Sequence, residues 1–132
     1  MSSFPVFLVS CLIFGAQSTK FDLELIINCV NHPVWHFEAK FLEKDTLDAT
    51  QDIAIEKNIT VRSPMYSQFT TKNIDGDGLA DNYYEIHAYV VHNCSDSGKV
   101  LAAVFEFPDI SVKKTIASVR LNATLDNLGY NI

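Results

Sequence analysis

No charged side chain precedes Lys20, and no apolar run in the chain is longer than the one from Phe4 to Phe14. A run that short does not cross a bilayer as a helix, and no later segment does better, so no transmembrane segment is expected. Basic residues are also in deficit, leaving a net charge of -6. That excludes a protein that wraps nucleic acid with a basic face, and it excludes generic attachment to anionic lipid. Low-complexity tracts are missing, and no segment carries a helical hydrophobic period. What remains is one chain of 132 residues, 48% of them hydrophobic, which suffices for a single domain with its own core.

The charge-free start has a use. An apolar stretch followed by small residues reads as a secretory signal over residues 1–18, with Ala16-Gln17-Ser18 as the cleavage site before Thr19. Only the amino terminus supplies positive charge to it. The competing reading is a buried N-terminal strand. With the signal removed, the product is a secreted, extracellular domain over residues 19–132.

Export gives the cysteines their meaning. Cys11 leaves with the signal, so Cys29 and Cys94 remain. In an oxidising compartment two cysteines most simply form one disulfide. The alternative is a reactive thiol at Cys94 with His92 as its base, which would require that thiol to stay reduced.

The dominant pattern is period two, broken by turn residues. Phe21, Leu23, Leu25, Ile27 and Cys29 share one face, against Asp22, Glu24 and Asn28. After Asn31-His32-Pro33, residues Trp35, Phe37, Ala39 and Phe41 alternate with His36, Glu38 and Lys40. A polar stretch from Lys44 to Asp52 leads to Ile53, Ile55, Ile59 and Val61, set against Glu56, Asn58 and Thr60. A short strand is expected from Tyr66 to Thr71, and a Gly/Asp turn from Asn73 to Asn82. The longest strand runs from Tyr83 to Cys94, with Tyr84, Ile86, Ala88, Val90 and His92 on one side. Lys99 to Phe107 is another strand, and Ile116 to Leu125 the last. About seven strands at this spacing predict an all-β, antiparallel sandwich with Greek-key connections. An immunoglobulin-like domain also carries two such cysteines and a buried Trp, but Trp35 follows Cys29 too closely, and His92 stands where that fold places a tyrosine.

Three landmarks resemble nematode transthyretin-like proteins. The first is Leu25-Ile26-Ile27-Asn28-Cys29, followed after a turn by Phe41-Leu42-Glu43-Lys44-Asp45-Thr46. The second is the Tyr-containing strand ending in His-x-Cys, Tyr89-Val90-Val91-His92-Asn93-Cys94. The third is Phe105-Glu106-Phe107-Pro108-Asp109-Ile110. The order and spacing match over nearly the whole mature chain. Departures are Asn31-His32-Pro33 in place of a Gly-Lys-Pro turn, and the lack of further cysteines after Cys94. The resemblance implies a transthyretin/prealbumin-like Greek-key β-sandwich, secretion and an extracellular binding role. The wider fold includes a hydrolase of 5-hydroxyisourate that uses a C-terminal Tyr-Arg-Gly-Ser. Here the chain ends Leu128-Gly129-Tyr130-Asn131-Ile132, so no enzyme is expected.

Several motifs are candidate sites. Asn58-Ile59-Thr60, Asn93-Cys94-Ser95 and Asn122-Ala123-Thr124 are glycosylation sequons, each with its asparagine on the outward parity. Asn73, Asp75, Asp77 and Asp81, with Gly78 between the third and fourth, match positions one, three, five and nine of a calcium loop. Tyr84 occupies the position of the last bidentate glutamate, and the bland reading is an Asp/Gly hairpin turn. His92 reads as a core histidine bonded to backbone. Val100, Ala102 and Val104 form an apolar outward stripe, suited to a partner or to a homodimer, or else covered by a loop. The leading expectation is therefore a non-catalytic binding protein, with no required cofactor, for a small apolar molecule, a lipid or an extracellular protein. The alternative is a calcium-dependent adhesion or structural module.

Overall fold

An extended chain that is apolar on one face needs a second sheet to bury that face, and the computed structural model has this arrangement. It describes residues 18–44, 50–75 and 82–132. The strands are β1 (Ser18–Asn28), β2 (Trp35–Lys44), β3 (Thr50–Val61), β4 (Met65–Asp75), β5 (Tyr83–Tyr84), β6 (Ile86–His92), β7 (Leu101–Glu106), β8 (Ile110–Ser111), β9 (Ile116–Thr124) and β10 (Tyr130–Asn131). Seven of them have six residues or more; the other three are two-residue pairings. One sheet has the order β4-β1-β9, the other β10-β7-β6-β2-β3, and β5 pairs with β8. All ladders are antiparallel except β1 with β9.

The inward residues of the two sheets form one core as a β-sandwich. Phe21, Leu23, Leu25 and Ile27 from β1 meet Trp35, Phe37, Phe41, Ile86 and Val90 from the opposite sheet. Aromatic edges fit the layers together: Phe21 meets Tyr84 at 5.1 Å between centroids, and Phe37 meets Tyr66 at 4.9 Å. The indole of Trp35 is fully buried and donates its N–H to the carbonyl of Ser63. Cys29 directly follows β1 and Cys94 follows β6, and they form a disulfide between the two sheets. Cys94 is therefore oxidised, with no thiol for His92 to activate. The first two strands lie in different sheets, whereas an immunoglobulin domain pairs its first two strands in one.

Three expectations are corrected. β4 is eleven residues long, and Asn73 to Asp75 belong to its ladder and not to a turn. The strand expected from Tyr83 divides at Glu85: β5 turns to β8, while β6 joins β2 and β7, without loss of the buried parity. In β3 the alternation changes phase twice, where the register with β2 shifts between Phe37 and Ala39 and again between Phe41 and Leu42. Lys57 and Asn58 together oppose Glu38, with Asn58 at φ 56°. Asparagine tolerates this left-handed conformation better than a β-branched residue. Between the bulges the inward positions pass to Ala54 and Glu56, and Ile55 turns outward with 42% exposure.

Candidate functional site

Registers decide which side chains meet on the outer faces. On the five-stranded sheet one cross-strand row is Ile55, Lys40, Tyr89 and Val104, and the next is Glu38, Val91, Ala102 and Tyr130. Val100, Val104 and Tyr130 are 47%, 49% and 54% exposed, and Tyr89 and Val91 are half-buried. The Lys40 ammonium stands 5.6 Å from the centre of the Tyr89 ring. Partial burial, followed by a hydrogen bond to Tyr130 and the nearby Tyr130 and Glu38, pushes the Tyr89 phenol above its ordinary value. It therefore stays neutral and able to donate. Tyrosine is the residue type here that is enriched in protein contacts, and Tyr89 and Tyr130 stand on a rigid sheet beside exposed apolar valines. The expected outward stripe holds for Val100 and Val104; Ala102 is instead buried beside its β10 neighbour.

Between the β3 and β4 edges a slit lined by Leu23, Leu25, Ala39, Phe41, Ala54 and Glu56 leaves about 10 Å³, roughly room for one water. Burial, and then the charge of Glu56, raises the Tyr66 hydroxyl at this edge above its ordinary value. A shallow hollow of about 320 Å³ lies on the outer face at the disulfide end, with His36, Glu38, Asn58, Val91, Asn93 and Val100 around it. A second, of about 290 Å³, lies along β7 beyond the end of β10, beside Val104, Phe105, Leu128 and Tyr130.

Tyr130 reaches its place through a clamp at the disulfide end. The Asp126 carboxylate accepts from the Val30 and Asn31 N–H groups at 2.9–3.1 Å. Asn127, at φ 58°, donates its N–H to the Cys94 carbonyl, and its side chain pairs with Asp96. Gly129 presses on β7 at φ 114°; a Cβ there would lie 2.4 Å from the Ala102 carbonyl oxygen. His92 is 1% exposed and bonds to backbone at both nitrogens, as read from its position in the sequence. Nδ1 accepts from the Cys94 N–H at 3.0 Å, so Nε2 carries the proton and donates to the Leu128 carbonyl at 2.8 Å. Burial pushes its pKa down, against the opposing influence of the Leu128 bond and the Asp126 charge.

Of the expected calcium positions, the described residues include Asn73 and Asp75. Asn73 is exposed and paired with Lys20, and Asp75 is paired with Ser18, both in extended backbone. Asp77, Gly78 and Asp81 lie outside the described residues, as do residues 1–17 of the expected signal and Cys11. The described group with metal-ligand spacing, Cys29, Cys94 and Asp126, has both sulfurs committed to the disulfide. Among the sequons, Asn58 and Asn122 are exposed and Asn93 is half-buried. Thr19, the first residue of the expected mature chain, is buried and donates its hydroxyl to the Lys114 carbonyl. Among the described residues no helix is long and apolar enough to cross a membrane. Comparison with protein-family models, curated proteins and solved structures found no match.

Proposed function

We propose that this chain is a secreted, non-catalytic binding protein of the transthyretin-like type, whose partner is an extracellular protein docked on the outer face of the five-stranded sheet. The observation that carries it is the patch of Tyr89 and Val104 in one cross-strand row and Tyr130 in the next: large side chains, exposed or half-exposed, on a sheet whose geometry is fixed by the core beneath it. The slit between the β3 and β4 edges, lined by core side chains of both sheets, holds about one water. That favours surface contact over an enclosed apolar molecule or lipid. The transthyretin-type Greek key is supported by where its landmarks fall. Cys29 closes the first strand, His92-Asn93-Cys94 closes β6, and Phe107-Pro108-Asp109 follows β7.

Native mass spectrometry of the protein secreted from eukaryotic cells tests this. An added protein mass, whether a second copy or another chain, is expected on the wild type and not on Val104→Glu, with the circular dichroism spectrum unchanged. Persistence of that mass on the variant, or a co-purifying small apolar molecule in its place, overturns the surface reading. Loss of the mass on chelation transfers the function to a calcium module built on Asn73, Asp75, Asp77 and Asp81.

A further inference from the structure

The apolar surface is not confined to the five-stranded sheet. On the outer face of the three-stranded sheet, Met65 and Phe69 of β4 stand exposed, with half-buried Ile26 of β1 between their rows. Ile26 is the register partner of Asn122, and the adjacent row is Phe69, Glu24 and Arg120, with Arg120 bridging Glu24 at 3.0 Å. Asn122 heads the sequon Asn122-Ala123-Thr124 and points outward from β9, where Ala117, Val119 and Leu121 point in. A bulky polar group on Asn122 would therefore stand directly over Ile26.

Asn58 is placed in a comparable way. The bulge turns it out of the β3 alternation, and its side chain lines the outer hollow together with His36, Glu38 and Val91. Its left-handed backbone lifts it at the margin of the sheet, on the strand farthest from Tyr130. Asn93 is different. Its Oδ1 accepts from the His36 N–H at 2.8 Å, its own N–H donates to the His36 carbonyl, and it is half-buried. The middle residue of its sequon is in the disulfide, and Ser95 is buried, its hydroxyl donating to the Lys99 carbonyl. A glycan on the Asn93 Nδ2 would have to leave from a half-buried position held against His36 beside the disulfide.

We infer that Asn58 and Asn122 carry N-linked glycans and Asn93 does not, so that carbohydrate covers the three-stranded face and the β3 margin and leaves the Tyr89, Val104 and Tyr130 patch bare. This rests on export, since the donor is an oligosaccharide on a lipid pyrophosphate in the secretory lumen. In the transfer Nδ2 bonds to the anomeric carbon, the carbon–oxygen bond to pyrophosphate breaks, and the amide proton leaves with the pyrophosphate lipid. Transfer acts on the entering chain; the fold decides which glycans it can accommodate and which faces they cover.

The test expresses the full chain in insect cells and reads intact mass before and after amidase deglycosylation. Two glycans are expected, one lost in Asn58→Asp and one in Asn122→Asp, with Asn93→Asp unchanged; aspartate keeps both the left-handed tolerance at 58 and the acceptor at 93. Secreted protein with no glycan mass, or a glycan lost in Asn93→Asp, overturns the inference while export stands. Glycosylated protein retained in cells upholds it and removes secretion; a cytosolic, unmodified chain with its leader intact overturns both. Covering of Ile26, Met65 and Phe69 has its own readout: apolar dye binding should rise in Asn122→Asp, and no rise refutes the shielding.

Discussion

Reducing the disulfide should lower stability by an amount set mainly by the length of chain it closes. Cys29 and Cys94 are 65 residues apart, and the chain-entropy relation gives roughly 4 kcal/mol for a loop of that size. Both sulfurs are fully buried, so reduction changes no packing volume beyond two thiol hydrogens, and a Cys→Ala cavity does not enter the comparison. The assay is urea unfolding of the oxidised protein and of the protein in excess dithiol, followed by the emission of Trp35, the single tryptophan. With a slope of about 1.3 kcal/mol/M for a domain of this size, the midpoint should fall by about 3 M. Under native conditions the oxidised form should resist dithiol, because neither sulfur is reachable until the sheets part. A drop below about 1 M at unchanged slope would refute the reasoning, showing that closing this loop stabilises the fold far less than its length implies.

Further outcomes follow from the clamp that holds the last residues. Burial depresses the pKa of His92, so the unfolded chain takes up its proton first as pH falls: stability is fully present above the unfolded value near 6.5 and declines below it. Thermal melts from pH 7.5 to 5 should show this decline, and His92→Asn should flatten it. Gly129→Ala should cost about 3 kcal/mol in urea unfolding, because the new Cβ meets the Ala102 carbonyl at an unfavourable φ. Gly98→Ala, at φ 72° with open space around it, should cost only about 1 kcal/mol. Asp126→Ala removes the acceptor of two backbone amides and should cost about 1–2 kcal/mol, partly recovered by Asp126→Asn.

Much of the candidate site was half-legible. Val100 and Val104 stood out as an apolar stripe on one strand, because parity along a strand is a local property. Tyr130 did not stand out. Its position beside Ala102 depends on the chain leaving β9, crossing to the other sheet and being fixed by Asp126, Asn127 and Gly129 against residues far away in sequence. Tyr89 was read only as part of a Tyr-containing strand end, since its partners Lys40 and Tyr130 lie on other strands.

The sequence by itself determined the all-β class, the buried faces of β1, β2, β6 and β9, the core role of His92 and the pairing of Cys29 with Cys94. Each rests on period-two alternation or on residue chemistry, which act within a few positions of the chain. Only the tertiary structure decided the phase of β3, where two bulges moved Ile55 outward and brought Glu56 in. It alone decided the parallel pairing of β1 with β9, the return of the last residues to the opposite sheet and which outer side chains stand together. Those are questions of register and connection between distant strands, and a one-residue shift in register reverses every side chain while leaving the local alternation unchanged.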